Sequence, residues 1–165
     1  MNYQDIIKRR IVTIESVYSQ LAAWRLFGKK IVFTNGCFDL LHQGHIDYLS
    51  KTADLGVVLM VGINSDSSVK KLNKGENRPI QDQHSRALII ASLHVVDAVL
   101  VFEEDTPYEL IKFINPDVLV KGGDWAIDEI VGADIVKSKG GEVKTIPYLE
   151  GFSTTEMERK IKGNR

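Results

Sequence analysis

Apolar residues recur at helical spacing through the first part of the chain: Ile7, Ile11, Ile14, Tyr18, Leu21 and Trp24, with Val17 beside them. This stripe predicts one amphipathic helix over residues 4–27, ended by Gly28. Packing against the domain is the ordinary role of such a helix, and a dimer contact is the alternative. From residue 29 the pattern changes. Short, mostly apolar runs over 31–33, 57–61, 98–102 and 117–121, together with Glu142-Val143-Lys144-Thr145, predict five strands. The second is apolar throughout, as a strand buried on both faces should be.

Helical segments are expected between the strands. One covers 45–54 with Ile46 and Leu49 inward, and another starts within 65–72. Residues 73–81 form a polar loop. Asp82 caps a helix to about residue 93, Thr106 caps one beginning near Pro107, a short helix covers about 127–137, and Ser153 caps the last, ending near Ile161. Strand–helix alternation of this kind predicts a three-layer α/β fold with a mostly parallel five-stranded sheet, plus the N-terminal helix. The division expected is residues 1–28 as that helix and 29–165 as the main domain. In such sheets ligands bind beyond the carboxyl ends of the strands, where the strand order reverses. The stretches 34–45, 64–66 and 121–125 all fall there.

Composition narrows the classes of function. A length of 165 residues suits one domain, and a net charge of -1 gives no reason to expect nucleic-acid or membrane partners. The single Cys37 excludes an intramolecular disulfide and fits a reducing compartment. No signal-like or membrane-length apolar run is present, so a cytoplasmic protein is expected.

The most informative chemistry is His42-Gln43-Gly44-His45. On a helix these histidines share a face, with Cβ atoms about 5–6 Å apart. A helix starting near Gly44 would also aim free N–H groups at an anion. Zinc usually takes three or four protein ligands, and only Asp39 lies near in sequence, so phosphate binding is preferred to chelation and no protein metal site is expected. Lys70, Lys71, Lys74, Arg78 and Arg86 are a local cationic excess in a chain of net charge -1. Phosphoryl or nucleotidyl transfer needs such charge around a developing anion. Ser153, Thr154 and Thr155 open the last helix with more hydroxyls than a cap requires, and Gly122-Gly123 permits close backbone approach to a ligand. A P-loop, a Gly-x-Gly-x-x-Gly turn after the first strand and a Gly-x-Ser-x-Gly elbow are all absent from the sequence.

Five ordered motifs together resemble the HxGH nucleotidyltransferases of the cytidylyltransferase-like superfamily, and within it the heptose 1-phosphate adenylyltransferases. They are residues 33–45, 61–69, 74–80 (Lys-Gly-Glu-Asn-Arg-Pro-Ile), 121–125 (Lys-Gly-Gly-Asp-Trp) and 151–155 (Gly-Phe-Ser-Thr-Thr). The resemblance implies a Rossmann-like sheet. It also implies attack by an acceptor phosphate on the α-phosphorus of a nucleoside triphosphate, with Mg2+. It further implies that His42, His45, Lys71, Ser153 and Thr154 serve catalysis. Cys37, Phe38, Gly44, Gly122, Asp124, Gly151 and Thr155 would bind nucleotide. Asp39, Asp66, Lys74, Arg78 and Arg86 would serve the acceptor or phosphates, with Lys71 or Lys74 as the loop lysine.

Departures from the family patterns refine this. Tyr148 stands where glycerol 3-phosphate cytidylyltransferases carry an arginine, and His94 where they carry another. Loss of two cations argues against CTP. Asn77 replaces a loop glycine of the heptose family. The resemblance therefore implies ATP and a sugar 1-phosphate as partners, a homodimer, and a separate heptose kinase, since the sequence has no kinase portion. A polyol-phosphate cytidylyltransferase and a non-catalytic nucleotide-binding module are the alternatives.

Overall fold

The computed structural model describes residues 2–72, 78–161 and 163. Five strands form one sheet: β1 (Ile31–Gly36), β2 (Val58–Asn64), β3 (Ala98–Phe102), β4 (Val118–Gly122) and β5 (Glu142–Ile146). Their order is β3-β2-β1-β4-β5, and every pairing is parallel. Every residue of β2 is buried, so its unbroken apolar run reflects helices on both sides.

The helices are α1 (Tyr3–Arg9), α2 (Ile14–Leu26), α3 (Gln43–Ala53), α4 (Asp66–Lys71), α5 (Gln83–Ala91), α6 (Tyr108–Ile114), α7 (Ala133–Ser138) and α8 (Thr154–Ile161). One face of the sheet packs Phe33, Met60 and Leu119 against Leu21, Ile111 and Val136 from α2, α6 and α7. The other packs Val32, Val61 and Val120 against Tyr48, Leu49 and Ile90 from α3 and α5.

The expected single helix over residues 4–27 is two helices. Between them the chain pairs with the edge strand β3: the Val12 N–H donates to the Val99 carbonyl at 2.9 Å, and the Val99 N–H to the Arg10 carbonyl at 2.7 Å. Thr13 and Ser16 then cap α2 reciprocally. The apolar stripe is thus divided across the edge of the sheet, with Ile7 and Ile11 on one face and Val17, Leu21 and Trp24 on the other. The segment covers ladder groups that an open edge would leave unpaired.

Smaller differences also have local causes. Ile46 is 41% exposed rather than inward, because Tyr48, Leu49 and Thr52 form the buried side of α3. Thr106 makes no cap; Pro107 takes that position in α6. The helix expected over 127–137 is a 3-10 turn (Ile127–Glu129) followed by α7, separated by Gly132 in the left-handed region, where a Cβ would also strike Ile111. Most of the expected 73–81 loop, with Lys74, lies outside the described residues. No helix among the described residues is long and apolar enough to cross a membrane.

Candidate active site

The strand order reverses between β1 and β4, and a cavity of about 570 Å³ opens at their carboxyl ends. Asn35 and Gly36 from β1 and Lys121 and Gly122 from β4 reach it. The loop after β1 contributes Cys37, Phe38 and Asp39, α3 contributes His45 and Tyr48, and α8 contributes Thr154 and Thr155. Arg78, Trp125 and Tyr148 complete the wall.

The loop after β1 is held in an unusual conformation. Phe38 has φ of 49°, which a non-glycine residue adopts only at a cost of about 1–3 kcal/mol. The ring is thereby placed 5.3 Å from that of His45. Close approach to Gly36 makes this possible, since a Cβ there would stand 2.9 Å from Phe38 Cε2.

His42 and His45 sit at the start of α3 and stack, with ring centroids 3.8 Å apart and planes 24° from parallel. The His42 backbone N–H points to His45 Nδ1 at 3.4 Å, which leaves Nε2 as the donor nitrogen of a neutral His45 ring. Among the described residues, His42 Nδ1 is a buried ring nitrogen with no hydrogen-bond partner. Burial lowers the His42 pKa, and burial together with the neighbouring His42 pushes His45 down to about 4. Both imidazoles are therefore neutral near pH 7, each with an N–H to donate. Gly44 permits the close packing: a Cβ there would lie 3.0 Å from His42 Nδ1 and 3.1 Å from Phe152 Cβ.

A second hollow, of about 220 Å³, is lined by His42 and Gln43 together with Gly151, Phe152, Ser153 and the α8 residues Glu156, Met157 and Lys160. The stacked pair borders both hollows, and so does the beginning of α8. Gly151, at φ of 80°, makes the turn into that helix, and Ser153 caps it by accepting the Glu156 N–H at 3.0 Å. Two helix N-termini thus converge on the same space, one bearing imidazoles and one bearing hydroxyls.

The structure separates the sequence-derived candidates. His45, Cys37, Phe38, Asp39, Arg78, Gly122, Thr154 and Thr155 line the larger cavity, and His42, Gly151 and Ser153 the smaller. Gly44 is buried beside the histidines. Asp124 is exposed and lies outside both linings. Lys71, at the end of α4, pairs on the surface with Asp105 at 2.8 Å. Arg86, expected among the phosphate-binding cations, is fully buried. It donates to the Cys37 carbonyl at 2.7 Å, to the Gln81 carbonyl at 3.0 Å and to Asp66 at 2.7 Å. Arg86 and Asp66 therefore brace the loop after β1 from behind.

Asp39 is likewise committed to structure. It accepts N–H bonds from Ile80 and Gln81 and an ion pair from Arg78. Burial opposes its charge, but the N–H groups of Gln81 and Ile80, with the Arg78 guanidinium, outweigh this and hold the carboxyl below its usual range. Its oxygens are engaged, and the described residues contain no group of three or more His, Cys, Asp or Glu side chains able to hold a metal.

Tyr48 was not singled out from the sequence, whereas Tyr148, noted for a lost arginine, and Trp125, within the 121–125 motif, line the same cavity. Tyr48 lies one turn after His45 on α3; its hydroxyl is 2.6 Å from Thr34 Oγ1 and donates to the Val120 carbonyl at 3.3 Å, tying α3 to β1 and β4. Burial is the main cause pushing its pKa up to about 12. The (i, i+3) spacing from His45 was the available signal. Tyr148 lies against Gly122 and Gly123, where an added Cβ would come within 2.7 and 2.9 Å of its ring. Trp125 donates its indole N–H to the Gly122 carbonyl at 3.1 Å.

A parallel sheet with paired imidazoles and hydroxyls at two helix N-termini beyond its carboxyl edge is the architecture of an α/β nucleotide-handling domain. The profile of the family described as cytidylyltransferase-like matches residues 33–160. The chain belongs to that family and is a nucleotidyltransferase domain. It is 52% identical over 163 residues to the bifunctional protein HldE of Wolinella succinogenes, covering 99% of this chain and 33% of that protein. It is 58% identical over 135 residues to HldE of a Nitratiruptor species, covering 82% of this chain and 28% of the relative. The chain thus spans about a third of the length of the curated relatives it matches. Among solved structures, a lipopolysaccharide core biosynthesis protein from Thermoplasma volcanium aligns with a TM-score of 0.60 and 30% identity, over 74% of this chain and 98% of that one. A pantoate-beta-alanine ligase from Francisella tularensis shares the fold, with a TM-score of 0.58 and 17% identity over 92% of this chain and 76% of the ligase.

Proposed function

We propose that this domain transfers AMP from ATP to D-glycero-β-D-manno-heptose 1-phosphate, forming ADP-heptose and pyrophosphate for a lipopolysaccharide or other surface glycan. The observation that carries this reading is the stacked His42–His45 pair, bordering the same cavities as Ser153, Thr154 and Thr155. An acceptor phosphate oxygen attacks the α-phosphorus, the bond to the β-phosphate oxygen breaks, and pyrophosphate leaves with the electron pair. No covalent enzyme intermediate is required. The imidazole N–H groups and the α8 hydroxyls donate to oxygens on which charge builds, so they act mainly in the transition state.

Mg2+ would accompany the triphosphate and supply further charge neutralisation. Lys71 lines neither cavity and would have to leave Asp105 to reach a phosphate, and that exposed pair costs little to break. The ATP preference is supported by Tyr148, whose uncharged ring lies over Gly122 and Gly123 at the position of a cytidylyl-type arginine. The heptose assignment is supported by the ordered motifs and by the HldE relatives. A kinase supplying the sugar 1-phosphate and a homodimer formed through the N-terminal helices belong to the same reading. Pyrophosphate release measured with ATP and with CTP, across heptose and hexose 1-phosphates and glycerol 3-phosphate, tests it. Turnover is expected with ATP and the heptose; preference for CTP and a polyol phosphate would replace it.

A further inference from the structure

Arg78 stands between two carboxylates. Its Nη1 lies 2.7 Å from Asp39 Oδ2 and its Nε 2.8 Å from Glu158 Oε1. One cation with two anions leaves this trio at net -1, an unfavourable charge beside a cavity that handles phosphates. The two carboxylates are not equivalent. The side chain of Asp39 is 4% exposed and is fixed by the N–H groups of Ile80 and Gln81. That of Glu158 is 26% exposed, and its one ion pair among the described residues is with Arg78.

Position on the helix adds the second observation. Glu158 follows Thr154 by four residues and Thr155 by three, so all three share one side of α8. Both threonines line the cavity together with Arg78. An anion reaching Arg78 and these hydroxyls together would compete for the guanidinium edge that Glu158 now holds. A phosphate monoester is the stronger competitor, because it carries more negative charge than a carboxylate and can match its bidentate fit to the guanidinium fork. Asp39 would keep Arg78 oriented during the exchange.

We propose that Glu158 is a placeholder for the acceptor's phosphate: its carboxylate occupies Arg78 in the free protein, and the incoming phosphate displaces it. Identification of the displacing group as the acceptor rests on the nucleotidyl-transfer reading above. The displacement predicts a change opposite in sign to that of a merely structural ion pair, since removing the Glu158 charge should tighten phosphate binding.

The test is calorimetric titration of inorganic phosphate into the full chain, with a non-hydrolysable ATP analogue present to fill the triphosphate subsites. Glu158→Gln should bind phosphate about fivefold more tightly than wild type, the scale of one part-exposed ion pair. Arg78→Gln should bind it more weakly, and the double variant should lose the gain. Glu158→Ala serves as the second variant if Glu158→Gln does not fold. Unchanged or weaker binding in the Glu158 variants, or a gain that survives loss of Arg78, would overturn the proposal. Tighter phosphate binding without turnover of any sugar 1-phosphate would instead leave the placeholder standing and sink the substrate assignment.

Discussion

His42 and His45 stack at 3.8 Å between ring centroids, and burial lowers the pKa of both. Two charged imidazoles so close would repel; two neutral ones each retain an N–H to donate. The pair is thus preorganised to donate to an anion while carrying no charge in the free protein. Replacing either histidine by alanine should lower kcat by about 10²–10³, the effect of removing one preorganised donor. Steady-state kinetics of pyrophosphate release checks this, and near-normal turnover in either variant would assign that ring a packing role.

The same depressed pKa values predict a pH dependence of folding. A histidine with a normal value of 6.5 in the unfolded chain and about 4 in the folded one binds its proton more readily when unfolded. Its contribution to stability is complete above pH 6.5 and is lost as pH falls toward 4. The melting temperature should therefore decline across that window, and His45→Gln should flatten the decline. Parallel curves for the two proteins would show that His45 does not titrate this way.

Arg86→Met should be strongly destabilising. The fully buried guanidinium satisfies two carbonyls and Asp66, and removal leaves those groups without their partner. Breaking such an arrangement costs about 3–5 kcal/mol. Urea denaturation measures it; a loss below about 1 kcal/mol would mean that water or Gln81 readily replaces the guanidinium.

Gly122→Ala should raise KM for ATP by displacing Tyr148, because the new methyl would stand 2.7 Å from Tyr148 Cε1. Tyr148→Ala in the same chain should relieve much of that crowding. The kinetic double-mutant cycle isolates the coupling, and additive effects would show that Gly122 and Tyr148 act independently.

How much of this was legible in the sequence varied with the kind of signal. β3 was expected over 98–102 and is found there, because a buried parallel strand is a contiguous apolar run. The break between α1 and α2 was hidden, since a stripe at helical spacing does not reveal that it wraps around a sheet edge. Ile46 was misassigned because the buried side of α3 is set by Tyr48, Leu49 and Thr52. At the site, the His42/His45 spacing around Gly44 and the hydroxyl residues 153–155 identified both helix N-termini. Charge alone did not separate Arg78, which lines the cavity, from Arg86, which braces the loop behind it. That distinction depends on tertiary partners: the Cys37 carbonyl accepting from Arg86 lies 49 residues away in the chain.

The most direct test of the central claim is phosphorus NMR of purified protein incubated with ATP, Mg2+ and D-glycero-β-D-manno-heptose 1-phosphate. Loss of the sugar monoester signal, appearance of the paired resonances of ADP-heptose and an equal quantity of pyrophosphate are the expected result. Persistence of ATP and the sugar phosphate, with the same protein converting CTP and a polyol phosphate, would contradict it.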